Sequence, residues 1–411
     1  MEETVEKMKI IQKLLLDFLE DESNSEENYE ILIKNIADQK IIDDKYEFKS
    51  LLYLINNIGK NHQRVCNFIC KIEQILSNFK KEILNYFSNS EIFKIFEDNK
   101  RVLLFLIQEK IINIDGNIVN QITKMEFIDK KYPQYFGPEI QPFLTEEFTS
   151  GILKTRNDPM LFYLTNKWIR EAMEEVQSDF YDKRNQGEND NYLCELIRLN
   201  KTKEFIVYVN KNNISLQNCI PISIFETNSF LLNNKTVKLI EYAAFHGANE
   251  IIRYMKMNGV ELTPNIWKYA IHSENEELIK YLEDNQVLPP GKNYETILKE
   301  SIKCHHNDLS NYIINYLFKE EDFEIFKGKN YDENLYYTSF KYSNYAFFPD
   351  SIKYKHTFFY SCQFDYFKLV NLLLKSEKIN INATIVKKHQ YFELHLYQEL
   401  IIMFLYQSIF L

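Results

Sequence analysis

Two groups of residues in this chain have the types and spacing for metal or nucleophile chemistry. His62, Cys66 and Cys70 stand at i, i+4 and i+8, a spacing that puts three ligand atoms on one helix face. Cys304-His305-His306 sets a thiol beside two imidazoles. Zinc closes a tetrahedron of four ligands, usually including a tight C-x-x-C or similarly spaced histidine pair, and no fourth ligand stands near the first group. Buried cysteines on an amphipathic helix account for the same spacing, and His306 reads as a polar residue serving a turn. No metal and no cofactor are therefore expected. Glycine-rich phosphate loops, the G-x-S-x-G elbow and the H-E-x-x-H zinc motif are all missing from the sequence, so no catalytic residue is named. A hydrolase with a site in the first half stays as a distant alternative, to be revived by a pocket with convergent His, Asp or Cys side chains.

The elements that would position these residues follow a recurring pattern. Glu250-Ile251-Ile252-Arg253-Tyr254-Met255 returns as Glu277-Leu278-Ile279-Lys280-Tyr281-Leu282, Asp308-Leu309-Ser310-Asn311-Tyr312-Ile313 and Lys368-Leu369-Val370-Asn371-Leu372-Leu373, with a fainter copy at Glu204-Phe205-Ile206-Val207-Tyr208-Val209. The apolar positions one, two and five share a helix face. Before the clearest copy stand Ala243 and Ala244, small enough for close helix approach, and Gly247, suited to a left-handed turn. Gly259 closes the unit as a C-terminal cap. The long step from Asp308 to Lys368 predicts a degenerate unit between residues 319 and 352. Such hairpins cannot bury an apolar face alone and must stack, with Ile251, Leu278, Leu309 and Leu369 in one shared spine.

At these residues the chain resembles the ankyrin-repeat family, whose unit carries two alanines, a turn glycine, Glu-Ile-Val and a closing glycine. Ala243, Ala244, Gly247, Glu250, Ile251, Ile252 and Gly259 match it in order. It is similar in particular to the divergent ankyrin group expanded in some parasitic protists and known as a domain of unknown function. The phrases from Ile222 to Leu232, Leu239 to Phe245, Trp267 to His272, Phe87 to Phe96 and Asn99 to Leu106 carry that likeness. The resemblance implies an all-α solenoid and no particular biochemical role. Glu274, His305 and Asp365 replace the turn glycine in later copies, which predicts turns rebuilt locally. The short step between the second and third copies leaves little room for a β-hairpin finger, so few or no strands are expected.

Composition agrees with a helical chain. Of 411 residues, 45% are hydrophobic and only nine are glycine and nine proline. The net charge of −10, with basic residues scattered among acids, argues against nucleic acid as partner. Six cysteines behind an acidic opening that does not read as a signal peptide point to free thiols in the cytoplasm. The apolar stretch 400–411 is too short to span a bilayer and reads as an end helix, with a membrane tether as the alternative.

Two regions are expected: an amino-terminal helical region, 1–181, acting as cap or docking domain, and an ankyrin-like hairpin array, 192–411. Helices are predicted over 4–20, 29–39, 45–58, 64–86, 90–111, 117–130 and 160–181. Breaks are predicted from Tyr132 to Pro142 and from Asp182 to Asp190. The expected function is a non-catalytic scaffold binding another protein through the concave face. In ankyrin arrays the two residues before the turn glycine project there, which implies Phe245 and His246, His272 and Ser273, Lys303 and Cys304, Gln363 and Phe364 as contacts. Phe245→Ala and His272→Ala should then weaken partner capture while leaving folding intact.

Overall fold

Apolar residues at i, i+3 and i+4 with few breakers give helices, and the computed structural model is helical across the residues it describes: 2–23, 26–62, 65, 67–124, 131–143, 179–234, 236–292, 294–318, 331–348 and 354–375. Among these residues there is no strand, only an isolated antiparallel bridge between Cys219 and Lys238. No helix among them is long and apolar enough to cross a membrane. The stretch 400–411 lies outside the described residues, as does most of the helix expected over 160–181.

The amino-terminal layer comprises α1 (Glu2–Glu20), α2 (Glu26–Asp38), α3 (Lys45–Asn61), α4 (Phe68–Asn78), α5 (Lys80–Tyr86), α6 (Asn89–Phe96), α7 (Lys100–Gln108) and α8 (Gly116–Lys124). Two of the expected long helices are each split in two. The stretch 64–86 breaks at Phe79, whose ring is buried against Phe48 at 5.8 Å. The stretch 90–111 breaks before Asn99, whose side chain accepts the Val102 N–H and so starts a new helix. The proline-rich stretch from Tyr132 folds into two single turns, α9 (Tyr132–Tyr135) and α10 (Gly137–Ile140), each with its proline in the first turn, where a missing N–H costs little. Helix α11 (Phe180–Gln186) fills much of the second expected break, which begins only at Gly187 (φ 69°). Arg184 pins α11 by bonding both carboxylate oxygens of Glu139, at 2.8 and 2.9 Å.

Helical hairpins make up the rest: α12 (Tyr192–Arg198) with α13 (Thr202–Lys211), then a single turn α14 (Ser229–Asn233) in the connection, α15 (Leu239–Phe245) with α16 (Asn249–Met257), α17 (Ile266–His272) with α18 (Glu276–Asp284), α19 (Glu295–Lys303) with α20 (Asn307–Tyr312), α21 (Tyr331–Lys341) with a 3-10 turn (Tyr345–Phe347), and α22 (Tyr354–Gln363) with α23 (Phe367–Lys375). The first helices pack in series, α12 on α15, α15 on α17, α17 on α19, α19 on α21 and α21 on α22. The degenerate unit expected between 319 and 352 is the α21 hairpin, its second helix reduced to the 3-10 turn.

One turn geometry recurs in every hairpin. A left-handed residue separates the helices: Asn200 (φ 47°), Gly247 (63°), Glu274 (46°), His305 (61°), Ser343 (56°) and Asp365 (63°). The next N–H reaches back five residues to a carbonyl: Lys201 to Leu196, Ala248 to Ala243, His306 to Ser301, Asn344 to Ser339 and Tyr366 to Ser361, all between 2.8 and 3.1 Å. Local rebuilding, expected from the sequence at Glu274, His305 and Asp365, does not occur at His305 and Asp365, whereas the Glu274 turn keeps the left-handed residue without the five-residue bond. In the last five hairpins the residue four before the left-handed one is small and fully buried, as Ala243, Ala270, Ser301, Ser339 and Ser361. That small side chain is what lets neighbouring first helices approach.

The cores do not divide at the expected domain boundary. Ile251, Leu278 and Leu309 share one core with residues from Leu193 to Ile313. Leu369 belongs to the other, which holds the amino-terminal layer together with Phe340, Tyr345, Phe348, Tyr360 and Tyr366. The single spine expected through all four residues therefore stops after α20. Aromatic side chains explain the switch: Phe340, Phe348 and Tyr366 interlock at 4.1 to 5.8 Å, and Phe367 stacks on Tyr46 of α3 at 3.8 Å. Lys49–Asp365 and Lys368–Asp44 pairs fasten the same contact.

Candidate functional site: the seam between the two cores

The turns at His305 and Ser343 meet the carboxyl part of α3. Helix α3 starts at Asp44, whose carboxylate accepts the N–H groups of Tyr46 and Glu47, and ends at His62. His62 Nδ1 donates to the Cys304 carbonyl at 2.7 Å, its Nε2 lies 3.0 Å from Glu20, and its ring centre is 4.6 Å from that of His306. Both nitrogens thus face oxygen atoms. Beside it Asn57 donates to Ser343 Oγ at 3.0 Å. Gln12 of α1 exchanges bonds with Asn344 Oδ1 and the Tyr345 N–H at 2.8 and 2.6 Å, and Asn344 in turn donates to the Ile302 carbonyl at 2.9 Å. The contact between the two cores here is a plane of polar side chains.

A second layer lies behind it. His272 Nε2 and Lys303 Nζ each approach Glu300 Oε1 at 2.7 Å. Phe230, carried by α14 against α3, covers the His272 ring with centres 3.9 Å apart. Burial pushes the Glu300 carboxyl up, but Lys303 and His272 outweigh it and hold Glu300 well below the usual carboxylate range. Burial pushes His272 down to about 4 even with Glu300 beside it, so its ring is neutral and donates Nε2–H. His306 is likewise lowered by burial and lies 2.8 Å from Glu274 through Nδ1. His305 falls to about 3, by burial first and the neighbouring His62 second. His305 Nε2 and His306 Nε2 have no hydrogen-bond partner among the described residues.

His272, Glu300 and Cys304 bring one ligand atom each within 4.8 Å of one another. Their geometry does not fit a cation or a nucleophile. Cys304 Sγ is 3.4 Å from His272 Nδ1 and 3.7 Å from Nε2, near-equal distances that set the sulfur against the ring rather than along either lone pair. The Lys303 ammonium already neutralises the Glu300 oxygen that a dication would need. Burial raises the Cys304 thiol well above its ordinary value, which keeps it from becoming a thiolate. The group reads as a buried, mutually satisfied network. The helix face expected for His62, Cys66 and Cys70 does not form, because α3 ends before His62 and Cys70 is exposed on α4. Cys66 lies outside the described residues.

The residues expected to contact a partner are mostly turned inward. His272, Ser273 and Cys304 are buried, and Lys303 is tied to Glu300 and lies over the Phe230 ring. Phe245 and His246 are half-buried, Phe245 stacking on Phe230 at 5.9 Å and His246 meeting Tyr242 at 4.5 Å. Gln363 and Phe364 are also half-buried, with Phe364 packed on Tyr337 at 5.3 Å. Their inner face is filled by α3 and α14 of the same chain, so His272→Ala is a core substitution and not a surface one. Sequence reasoning missed Glu300, Glu274, His62 and Phe230. Glu300 carried a signal: it stands five before the left-handed residue, where Tyr242 and Tyr269 stand in the preceding hairpins.

Elsewhere, a hollow touching Thr4, Met8, Glu47, Ser50, Tyr345 and Lys368 holds about 10 Å³, room for one water. No family model, curated protein or solved structure matches this chain.

Proposed function

We propose that this chain is a non-catalytic, cytoplasmic, ankyrin-like helical-repeat protein that acts as a scaffold for another protein. The observation that carries the reading is the repeated hairpin, with its left-handed turn residue, its small buried residue and its first helices packed in series. Repeats of this kind make extended surfaces on which many modest contacts sum to affinity. The inner turns are covered by α3, so the surface offered to a partner is the opposite edge. There, at or just past the ends of three consecutive second helices, Met257 is 86%, Leu288 50% and Tyr316 75% exposed. Large apolar side chains left in water along one edge suit a protein contact.

The test is proximity labelling in the native cell with the wild type and with Met257→Ser, Leu288→Ser and Tyr316→Ser combined. Selective loss of a labelled protein, with the thermal midpoint unchanged, is the expected outcome. An identical labelling pattern would count against this edge as the contact surface.

A further inference from the structure

His62 ends α3, and four more of the eight histidines, His246, His272, His305 and His306, sit in or beside the hairpin turns. The seam they line is unlike the cores on either side of it. Each core is continuous and apolar, whereas the seam is bridged by His62 and Asn344 donating to the Cys304 and Ile302 carbonyls and by Ser229 Oγ donating to the Lys60 carbonyl at 3.3 Å. Polar interfaces between packed bodies separate more readily than apolar ones. Helix α21 joins the two sides, Leu335 packing on one core and Phe340 on the other, and marks where a hinge would stay closed.

We propose that the seam is an acid-sensitive latch: on mild acidification His305 and His306 take up protons, the end of α3 parts from the α19–α20 turn, and the inner hairpin turns become accessible. The groups that face these two rings decide the direction. His305 has His62 and His306 beside it, with the Lys303 and Ser343 backbones, and no carboxylate. His306 has Glu274 at 2.8 Å, Glu20 farther off, and His62 at 4.6 Å between ring centres. Lys303 adds a further positive charge in the neighbouring layer, against Glu300. A proton on His305 therefore meets imidazoles and a buried, unpartnered Nε2, and is better solvated when the seam is open. Opening that takes up protons becomes about tenfold more favourable per pH unit for each proton bound.

Hydrogen exchange followed by mass spectrometry on the full chain, corrected for intrinsic rates, tests this at pH 7.5 and pH 5.5. Protection over 57–62 and 302–310 is expected to fall by at least about tenfold and to lie below that of α7 in one core and α16 in the other, which follow the global stability. His305→Asn, which keeps a residue at ease at positive φ, should flatten the response, and His305→Asn with His306→Gln should remove it. Unchanged protection of the seam in the wild type, seam protection at pH 5.5 no lower than that of α7 and α16, an undiminished response in the single variant, or a response that survives in the double variant would overturn the latch. The readout involves no partner, so it is decided separately from the scaffold reading. If a variant fails to fold, the wild-type comparison of seam against α7 and α16 still decides.

Discussion

Gly247 at φ 63° and His305 at φ 61° hold the same place in their hairpins, the first with the residue suited to it and the second with one that is strained there. The fold keeps the turn and tolerates the side chain, because the five-residue hydrogen bond behind it is the same: Ala248 to Ala243 at 2.8 Å, His306 to Ser301 at 3.1 Å.

Glycine exchanges should therefore be predictable from φ and from what a Cβ would meet. Gly259 (φ 84°) is in open space, so Gly259→Ala should cost about 1 kcal/mol through backbone strain alone. Gly247→Ala should cost more, since its Cβ would lie 2.9 Å from Asn275 Nδ2. Gln286 closes the next hairpin at φ 55° and is exposed, and Gln286→Gly should be stabilising by a few tenths of a kcal/mol up to about 1. Urea midpoints decide it, and equal losses for both alanine variants would show that the Asn275 contact does not matter.

Legibility followed the strength of the local signal. The hairpins, the absence of strands among the described residues and the degenerate unit could be read because the Glu-Ile-Ile-x-Tyr pattern and the turn positions are local. What could not be read was long-range. Leu369 has the same local pattern as Leu309, yet lies in the other core because Tyr366 and Phe367 meet Phe340 and Tyr46, residues remote in sequence. The burial of His272 and Cys304 depends likewise on His62 and Phe230, which nothing near them in the sequence announces. Glu300, an acid where its sister hairpins carry tyrosine, was the one local clue to the network.

Breaking the Glu300 network should be costly in an order set by charge. Lys303→Met leaves Glu300 facing a neutral ring and should destabilise by about 3 kcal/mol or more. His272→Ala removes one donor and opens a cavity beside Phe230, about 2–4 kcal/mol. Lys303→Met with Glu300→Gln should recover part of the loss. A double variant no better than Lys303→Met alone would mean that the carboxylate is not the buried liability.

Arg184 and Glu139 make the corresponding tie in the amino-terminal half, with side chains 3% and 16% exposed. Arg184→Met should cost about 3 kcal/mol, by leaving a carboxylate in a site with little water. Adding Glu139→Gln should restore most of it, so the double-mutant cycle gives a coupling well above the ordinary additivity error of about 0.5 kcal/mol. A coupling near zero would assign the loss to the guanidinium lying over the Phe180 and Tyr181 rings.

Zinc offers a direct check on the reading of His272, Glu300 and Cys304 as a satisfied network. Titration of the reduced protein with equimolar zinc should leave the thermal midpoint unchanged, since Lys303 occupies the carboxylate and the sulfur lies against the ring. One zinc bound per chain, lost in Cys304→Ser and in His272→Gln, would show that the ring and Lys303 move aside and that the cluster is a metal site.

Global stability should fall as the solution is made acid, starting near neutrality. Burial lowers His272 to about 4 and His305 to about 3, whereas an imidazole in the unfolded chain takes its proton near 6.5. Between those values the unfolded chain binds more protons than the folded one, so stability present above about pH 6.5 is lost as the pH drops through this window, by about 1–2 kcal/mol per histidine at pH 5. Glu300, held well below the usual carboxylate range, adds loss of the same sign once the pH passes below about 4.3. Urea midpoints should therefore decline from pH 7.5 to 5 and more steeply below. His305→Asn removes one titrating group and should shallow the first decline while leaving the second. A midpoint that holds or rises between pH 7.5 and 5 would mean that the Glu20, Glu274 and Glu300 partners stabilise the charged rings more than burial penalises them.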